Sequence, residues 1–233
     1  MTAIAVIPAR GGSTRIPRKN VRSFHGKPIM VWAIEAALVS GCFDAVVVST
    51  EDDEIAAVAE THGAVVPFRR SRDLADDHTG MPPIIADAAQ RWAADHGPPD
   101  LVCCIFATAP FVTPDDLRRG RAAIEAEGAS YAFGVTDFAY PIQRALRLPA
   151  TGGVALFYPE FRTARSQDLE PAYHDAGQFC WGTYEAWVEL RSGFAPDSVP
   201  VRLPRRRVQD IDTEEDWIIA ERLFALDREG AAP

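Results

Sequence analysis

No stretch of this 233-residue chain approaches the roughly 20 consecutive apolar residues that crossing a bilayer takes, so no membrane partner is expected. The opening MTAIAVIPAR has no basic residue ahead of its apolar stretch and reads as a buried strand rather than a secretion signal. Cysteine is scarce: Cys42, Cys103, Cys104 and Cys180 show no CxxC spacing. That excludes a disulfide scaffold and points to reduced core thiols in a cytoplasmic protein. Positive charge is in deficit, 24 Lys and Arg against 33 Asp and Glu for a net −9, which is the wrong overall field for a general nucleic-acid binder. Repeats and low-complexity linkers are missing as well. So are the GxGxxG fingerprint of a dinucleotide-binding loop and the GxxxxGK[ST] pattern of a P-loop, which disfavours a dinucleotide-dependent oxidoreductase.

What remains is the composition of a globular chain, 47% hydrophobic and 24% charged, long enough to bury a core without disulfides or metals. Strand and helix patterns alternate along it. Ile4–Pro8, Ala45–Ser49, Ala64–Phe68, Leu101–Ala107 and Tyr131–Val135 read as strands. Pro28–Val39, Asp52–Glu60, Pro83–Ala94 and Pro114–Glu127 read as helices, the second closing at a His62-Gly63 cap. The rhythm breaks over 138–180, a stretch richer in aromatic, Pro and Gln residues. It returns with a helix at Thr183–Leu190, a strand at Val199–Leu203 and a last helix near Thr213, where Thr213 and Asp216 form a capping-box pattern. The expected fold is α/β in three layers, a mostly parallel sheet with helices on both faces. It forms a single domain over 1–233 whose excursion at about 138–180 carries substrate contacts or a subunit interface.

Charge is distributed unevenly. The first acidic residue is Glu35, and before it stand six cations: Arg10, Arg15, Arg18, Lys19, Arg22 and Lys27. They flank Ala9-Arg10-Gly11-Gly12-Ser13, which follows the first strand, and ligands of open α/β sheets collect at the carboxyl ends of strands. Paired glycines let backbone N–H groups approach phosphate oxygens closely, and Arg and Lys neutralise the phosphate charge. Solvated loop charges beside an ordinary glycine turn would leave the same trace. At the other end of the chain, Asp210 and Asp212 point the same way if the segment is extended, and two such carboxylates suit Mg2+. A solvated acidic helix start is the alternative reading. Together, a basic phosphate loop and a carboxylate pair are what metal-assisted nucleotidyl transfer needs.

These residues also form a family pattern. Ile7-Pro8-Ala9-Arg10-Gly11-Gly12-Ser13, Arg18-Lys19-Asn20, Gly26-Lys27-Pro28, Val48-Ser49-Thr50-Glu51-Asp52, Ala107-Thr108-Ala109-Pro110-Phe111 and Asp210-Ile211-Asp212 resemble, in order and over nearly the whole chain, the acylneuraminate cytidylyltransferase family. Asp76-Asp77-His78-Thr79-Gly80, Tyr140-Pro141-Ile142-Gln143-Arg144-Ala145, Arg165-Ser166-Gln167-Asp168-Leu169 and Tyr173-His174-Asp175-Ala176-Gly177-Gln178-Phe179 are most similar to its pseudaminic-acid branch. The resemblance implies CTP and a nine-carbon 2-keto sugar acid (a nonulosonic acid) as substrates, Mg2+ as cofactor and a homodimer. By position it implies that Arg10, Ser13 and Lys19 contact the CTP phosphates, with Gly11 and Gly12 supplying backbone donors next to Ala9. Asn20 would fix the loop or the nucleotide, and Thr108, Ala109 and Pro110 would lie near the nucleotide. Asp210 and Asp212 would hold the metal. Arg144, Arg165, Gln167, His174 and Gln178 would face the sugar acid, with part of that pocket supplied by a partner subunit. One departure bears on charge: the family usually has Lys after the loop serine, and here Thr14 stands beside Arg15.

Overall fold

The computed structural model describes residues 1–76 and 78–229. Its centre is a six-stranded sheet built from β1 (Ala3–Pro8), β2 (Ala45–Ser49), β3 (Leu101–Ile105), β4 (Tyr131–Asp137), β5 (Tyr173–Thr183) and β6 (Ser198–Arg202), in the order β6-β4-β5-β3-β1-β2. All neighbours are parallel except β5, which runs antiparallel to both β3 and β4. Side-chain alternation along the central strands makes the sheet two-sided. Ala3, Ala5 and Ile7 of β1 pack with α1 (Ile29–Ser40), α2 (Asp53–Thr61) and α4 (Pro114–Glu127). Ile4 and Val6 pack on the other face with α3 (Met81–His96) and α5 (Tyr184–Val188). Adjacent Cys103 and Cys104 split between the same two faces, as reduced core thiols. Trp181 and Trp187 are likewise buried, one on each face.

Two expectations change. Ala64–Phe68 forms no ladder, only isolated bridges Val47↔Val65 and Thr50↔Arg69. Pro67 has no N–H to give a ladder there. Conversely, the aperiodic stretch ends in β5, which lies in the middle of the sheet. Its register shifts opposite Phe133/Val135, and Gly177 takes a positive φ of 60° beside Asp175, whose carboxylate accepts the Gly177 N–H at 2.9 Å. That break erases the period-two signal. The rest of the stretch leaves the sheet in a small hairpin, Leu146–Arg147 against Ala155–Leu156, and short 3₁₀ turns.

The last helix, α6 (Glu214–Glu229), turns Trp217, Ala220 and Phe224 onto one face. That face meets Ile16 and Phe24 of the amino-terminal loop together with Ile29, Phe111 and Ile211. Each fully buried side chain of this size contributes roughly 1.5–3 kcal/mol, so a third core ties the two ends of the chain together. Arg22 lies over the Trp217 ring at 4.3 Å and pairs with Glu214 at 2.6 Å. The expected Thr213 box closes the start of α6: Thr213 N donates to Asp216 at 2.8 Å and Asp216 N to the Thr213 hydroxyl at 3.2 Å.

The segment between β6 and α6 is pinned from inside. Arg207 donates to Asp116 Oδ1 at 3.1 Å and to the Phe111 carbonyl at 3.2 Å, while Asp116 is 1% exposed and closes the capping box of α4 with Thr113. Burial alone would push the Asp116 carboxyl up; the Arg207 fork and the Thr113 hydroxyl outweigh it and hold the group below its ordinary range. Because the native value is depressed, the stabilisation is full above the unfolded value near 4 and is lost as pH falls through the native one. Asp116→Asn is therefore expected to cost about 3–5 kcal/mol at pH 7 and to flatten the acid limb of stability, read by urea unfolding at a series of pH values. An unchanged midpoint at pH 7 would contradict this pairing.

Candidate active site

Three neighbouring strands, β3, β1 and β2, end side by side, with Pro8 opposite Ser49 and Val6 opposite Cys104. Their carboxyl-end loops form the walls of a cleft of about 350 Å3. Pro8, Arg10, Ser13, Thr14, Arg15, Lys19 and Asn20 line one side, and Phe106, Ala107 and Thr108 follow β3 on another. Asp210 and Asp212 complete the lining from the far end of the chain. The basic loop and the acidic pair, about 190 residues apart in sequence, open onto the same space.

The loop is held open by its own contacts. Buried Asn20 donates from Nδ2 to the Arg10 carbonyl at 2.9 Å, and Arg10 reaches the Asp76 carbonyl at 2.9 Å. Gly11 N–H donates to Glu51 at 2.7 Å, and the other Glu51 oxygen accepts from buried Arg70 at 2.8 Å. A Cβ on Gly11 would sit 3.0 Å from Asp52 Cγ and closer still to its Oδ2, so glycine is needed there to admit the Asp52–Arg18 pair. The Arg18 hydrogen bonds hold the Asp52 carboxyl down to about 2, and Asp52 at the same time caps α2 by accepting from Ile55 N. Gly12 is different: among the described residues, a Cβ there would meet no atom within 4 Å.

Across the cleft, Asp212 is gripped by cations of the loop. Arg15 lies 2.9 Å from Oδ2 and Lys19 3.4 Å from Oδ1, and Lys19 also donates to the Ile211 carbonyl at 2.6 Å. Desolvation within the cleft first, then the charge of neighbouring Asp212, push the Asp210 carboxyl above its ordinary range, with Lys19 pulling the other way. A carboxylate in that situation gains from an added cation. Among the described residues no third Asp, Glu, His or Cys joins the pair into a metal cluster. Two carboxylates completed by phosphate oxygens and water are nevertheless a donor set that suits Mg2+. Asp216 is committed to the helix cap.

Of the residues expected to bind nucleotide, Arg10, Ser13, Lys19, Asn20 and Thr108 line the cleft. Ala9 is buried beneath it, its N–H on the Ser49 carbonyl, and Ala109 and Pro110 are buried just beyond Thr108. The residues expected on the sugar acid lie elsewhere. Arg144 donates to the Ala164 carbonyl, Arg165 pairs with Asp168 at 2.8 Å, and Gln167 is exposed in the same 3₁₀ turn. His174 is exposed beside Phe138. Gln178 is buried and donates to the Arg207 carbonyl, with its Oε1 unpartnered. Asp77 lies outside the described residues.

Arg70, Asp76, Thr79 and Met81 also line the cleft and were not singled out by sequence as site residues. Arg70 follows the Ala64–Phe68 stretch at its carboxyl end, and that position was the available signal. Its Nε is buried without a partner. Next to the cleft, and sharing Met81 and Phe106 with it, is a second recess of about 300 Å3 walled by Phe133, Phe179, Cys180, Trp187 and Phe194.

Comparison with known proteins agrees with this geometry. The sequence model of the family described as Cytidylyltransferase matches residues 4–141. The protein named Pseudaminic acid cytidylyltransferase in Campylobacter jejuni is 42% identical over 231 residues, 99% of this chain and 100% of its own. CMP-N,N'-diacetyllegionaminic acid synthase of Legionella pneumophila is 33% identical over 98% of this chain and 99% of its own. In fold, the chain is similar to CMP:2-keto-3-deoxy-manno-octonic acid synthetase solved with CTP, with a TM-score of 0.71 at 16% identity over 97% of this chain and all of that one. A phosphate-type loop and an acidic pair facing one cleft, the matching family model and the full-length relatives lead to one conclusion: the chain belongs to the cytidylyltransferase family and is a nucleotidyltransferase.

Proposed function

We propose that this enzyme joins the CMP moiety of CTP to a nine-carbon 2-keto sugar acid, pseudaminic acid, and releases pyrophosphate. The observation that carries this reading is the shared cleft, in which the cationic loop faces Asp210 and Asp212 at the carboxyl ends of three strands. The relative of the same length named for pseudaminic acid supports the choice of sugar, and the one named for N,N'-diacetyllegionaminic acid makes a legionaminic acid the second reading.

In the reaction, the anomeric C2 hydroxyl oxygen of the sugar attacks the α-phosphorus of CTP, and the hydroxyl proton passes to solvent. The bond from that phosphorus to the α–β bridging oxygen breaks, and pyrophosphate leaves in line. Arg10, Ser13 and Lys19 hold the phosphates, and Lys19, anchored on the Ile211 carbonyl, keeps its charge fixed where negative charge accumulates on the leaving group. Gly11 N–H is engaged by Glu51, so the free backbone approach falls to Gly12. Thr108, with Ala109 and Pro110 behind it, forms the floor against which the nucleotide rests. Asp210 and Asp212 would hold Mg2+, which when bound neutralises phosphate charge and polarises the α-phosphate. The apolar recess beside the cleft suits the methyl and acyl substituents of a sugar acid, while Cys180 in its wall leaves more room than an aromatic ring would.

The chain works as a single domain whose excursion builds a homodimer. Tyr140, Leu148, Val154 and Phe157 are all more than half exposed on it, which supports an interface there. Arg144, Arg165, Gln167 and His174, none of which lines its own cleft, would then serve the cleft of the partner. The buried thiols are consistent with work in the reducing cytoplasm.

Pyrophosphate release from CTP with a panel of acids is expected to give the highest kcat/KM with pseudaminic acid. Tight CTP binding without turnover on any acid would overturn the reading. Asp212→Ala should lower kcat by on the order of 10²–10³ with little change in melting temperature, because exposed ion pairs contribute at most about 1 kcal/mol; a variant with wild-type activity and Mg2+ dependence would contradict the metal role. Gly12→Ala should fold as the wild type does, yet bind CTP about tenfold more weakly if phosphate approaches that backbone. Unchanged CTP affinity, measured by calorimetry, would move the phosphate site elsewhere.

A further inference from the structure

The two cations on Asp212 are not held alike. Lys19 has only 17% of its side chain exposed and is anchored a second time on the Ile211 carbonyl. Arg15 is 65% exposed, and Asp212 is its one described ion-pair partner. Asp212 itself is 36% exposed and faces the cleft. One of the two carboxylates expected to hold a divalent cation is thus covered by a guanidinium with no other ion-pair partner among the described residues, while the space beside both is lined by Arg10, Ser13 and Lys19 of the amino-terminal loop.

Resting on the function proposed above, we infer that Arg15 is an exchanging positioning residue: it neutralises Asp212 in the free enzyme and passes to the triphosphate when a divalent cation takes that carboxylate. A cation on Asp212 removes the partner of Arg15 and repels it. A triphosphate offers oxygens that a guanidinium grips in a bidentate fork. Each ligand thereby removes an obstacle to the other, so metal and triphosphate bind with positive coupling, and the coupling is reciprocal. Lys19, doubly anchored, stays in place. The uncharged Thr14 next door leaves Arg15 as the cation of that turn able to make the exchange.

Binding measured on the full chain tests this. Mn2+ alone is titrated by the electron paramagnetic resonance of the free ion, CTP alone by calorimetry with chelator present, and Mn2+ again with saturating CTP. In Arg15→Gln, Mn2+ alone is expected to bind severalfold more tightly because its competitor is gone. CTP alone should bind about tenfold more weakly, and the factor by which CTP tightens Mn2+ should shrink. Arg15→Lys should restore most of the CTP affinity but less of the coupling, because an ammonium lacks the fork. Unchanged Mn2+ affinity together with an unchanged coupling factor would overturn the exchange, as would equal weakening of both ligands in a variant with a lowered melting temperature, which would make Arg15 a structural residue. If the wild type itself bound neither CTP nor Mn2+, the functional reading rather than the exchange would have failed.

Discussion

The structure depends on a contact between the two ends of the chain. Lys19 and Arg15, from the first loop, meet Asp212 and the Ile211 carbonyl, from the last connection before α6. The ion pairs are too exposed to hold the ends together alone. The apolar cluster beneath them does that, with Ile16 and Phe24 from the loop packed against Trp217 and Phe224 of α6. Hydrophobic burial therefore fixes where the charges sit, and the charges define what the cleft binds.

The sheet explains why the cleft lies where it does. With β3, β1 and β2 parallel and adjacent, three loops leave the same edge together. β4 ends and the antiparallel β5 begins at that same edge, Asp137 opposite Tyr173, so the excursion springs from it, and β5 carries Phe179 and Cys180 into the wall of the apolar recess. Polar and apolar sites thus share Met81 and Phe106 as a common border. Buried Asp116 and half-buried Arg207 then set the course of the segment that delivers Asp210 and Asp212. Burial and pairing at one point of the core reach the chemistry through a few residues of backbone.

Much of this was legible in the residues. The continuous apolar run Leu101–Ala107 announced a strand covered on both faces, which the fold forms over Leu101–Ile105, and Thr213 with Asp216 announced the last helix start. The glycine turn amid cations and the aspartate pair marked both halves of the cleft. What periodicity hid was β5, because a register shift and the left-handed Gly177 break its alternation. Pro67 made a strand-like stretch that pairs only at isolated points. Arg70 stands at the carboxyl end of a strand-like stretch, but its burial against Glu51 shows only in the fold. The two glycines looked equivalent in sequence; packing separates them, since Gly11 makes room for Asp52 and Gly12 faces open space. The residues expected on the sugar acid do not line the cleft, because they lie on the excursion and in β5, whose course the sequence pattern left open.

The central claim is that one cleft holds the triphosphate on the amino-terminal loop and its metal on Asp210 and Asp212. A crystal structure with CTP and Mn2+, using the anomalous signal of the manganese, tests it most directly. The account predicts an anomalous peak within coordination distance of both carboxylates and of phosphate oxygens that also contact Arg10, Ser13 and Lys19. A triphosphate bound away from that loop, or manganese located away from the two aspartates, would contradict it.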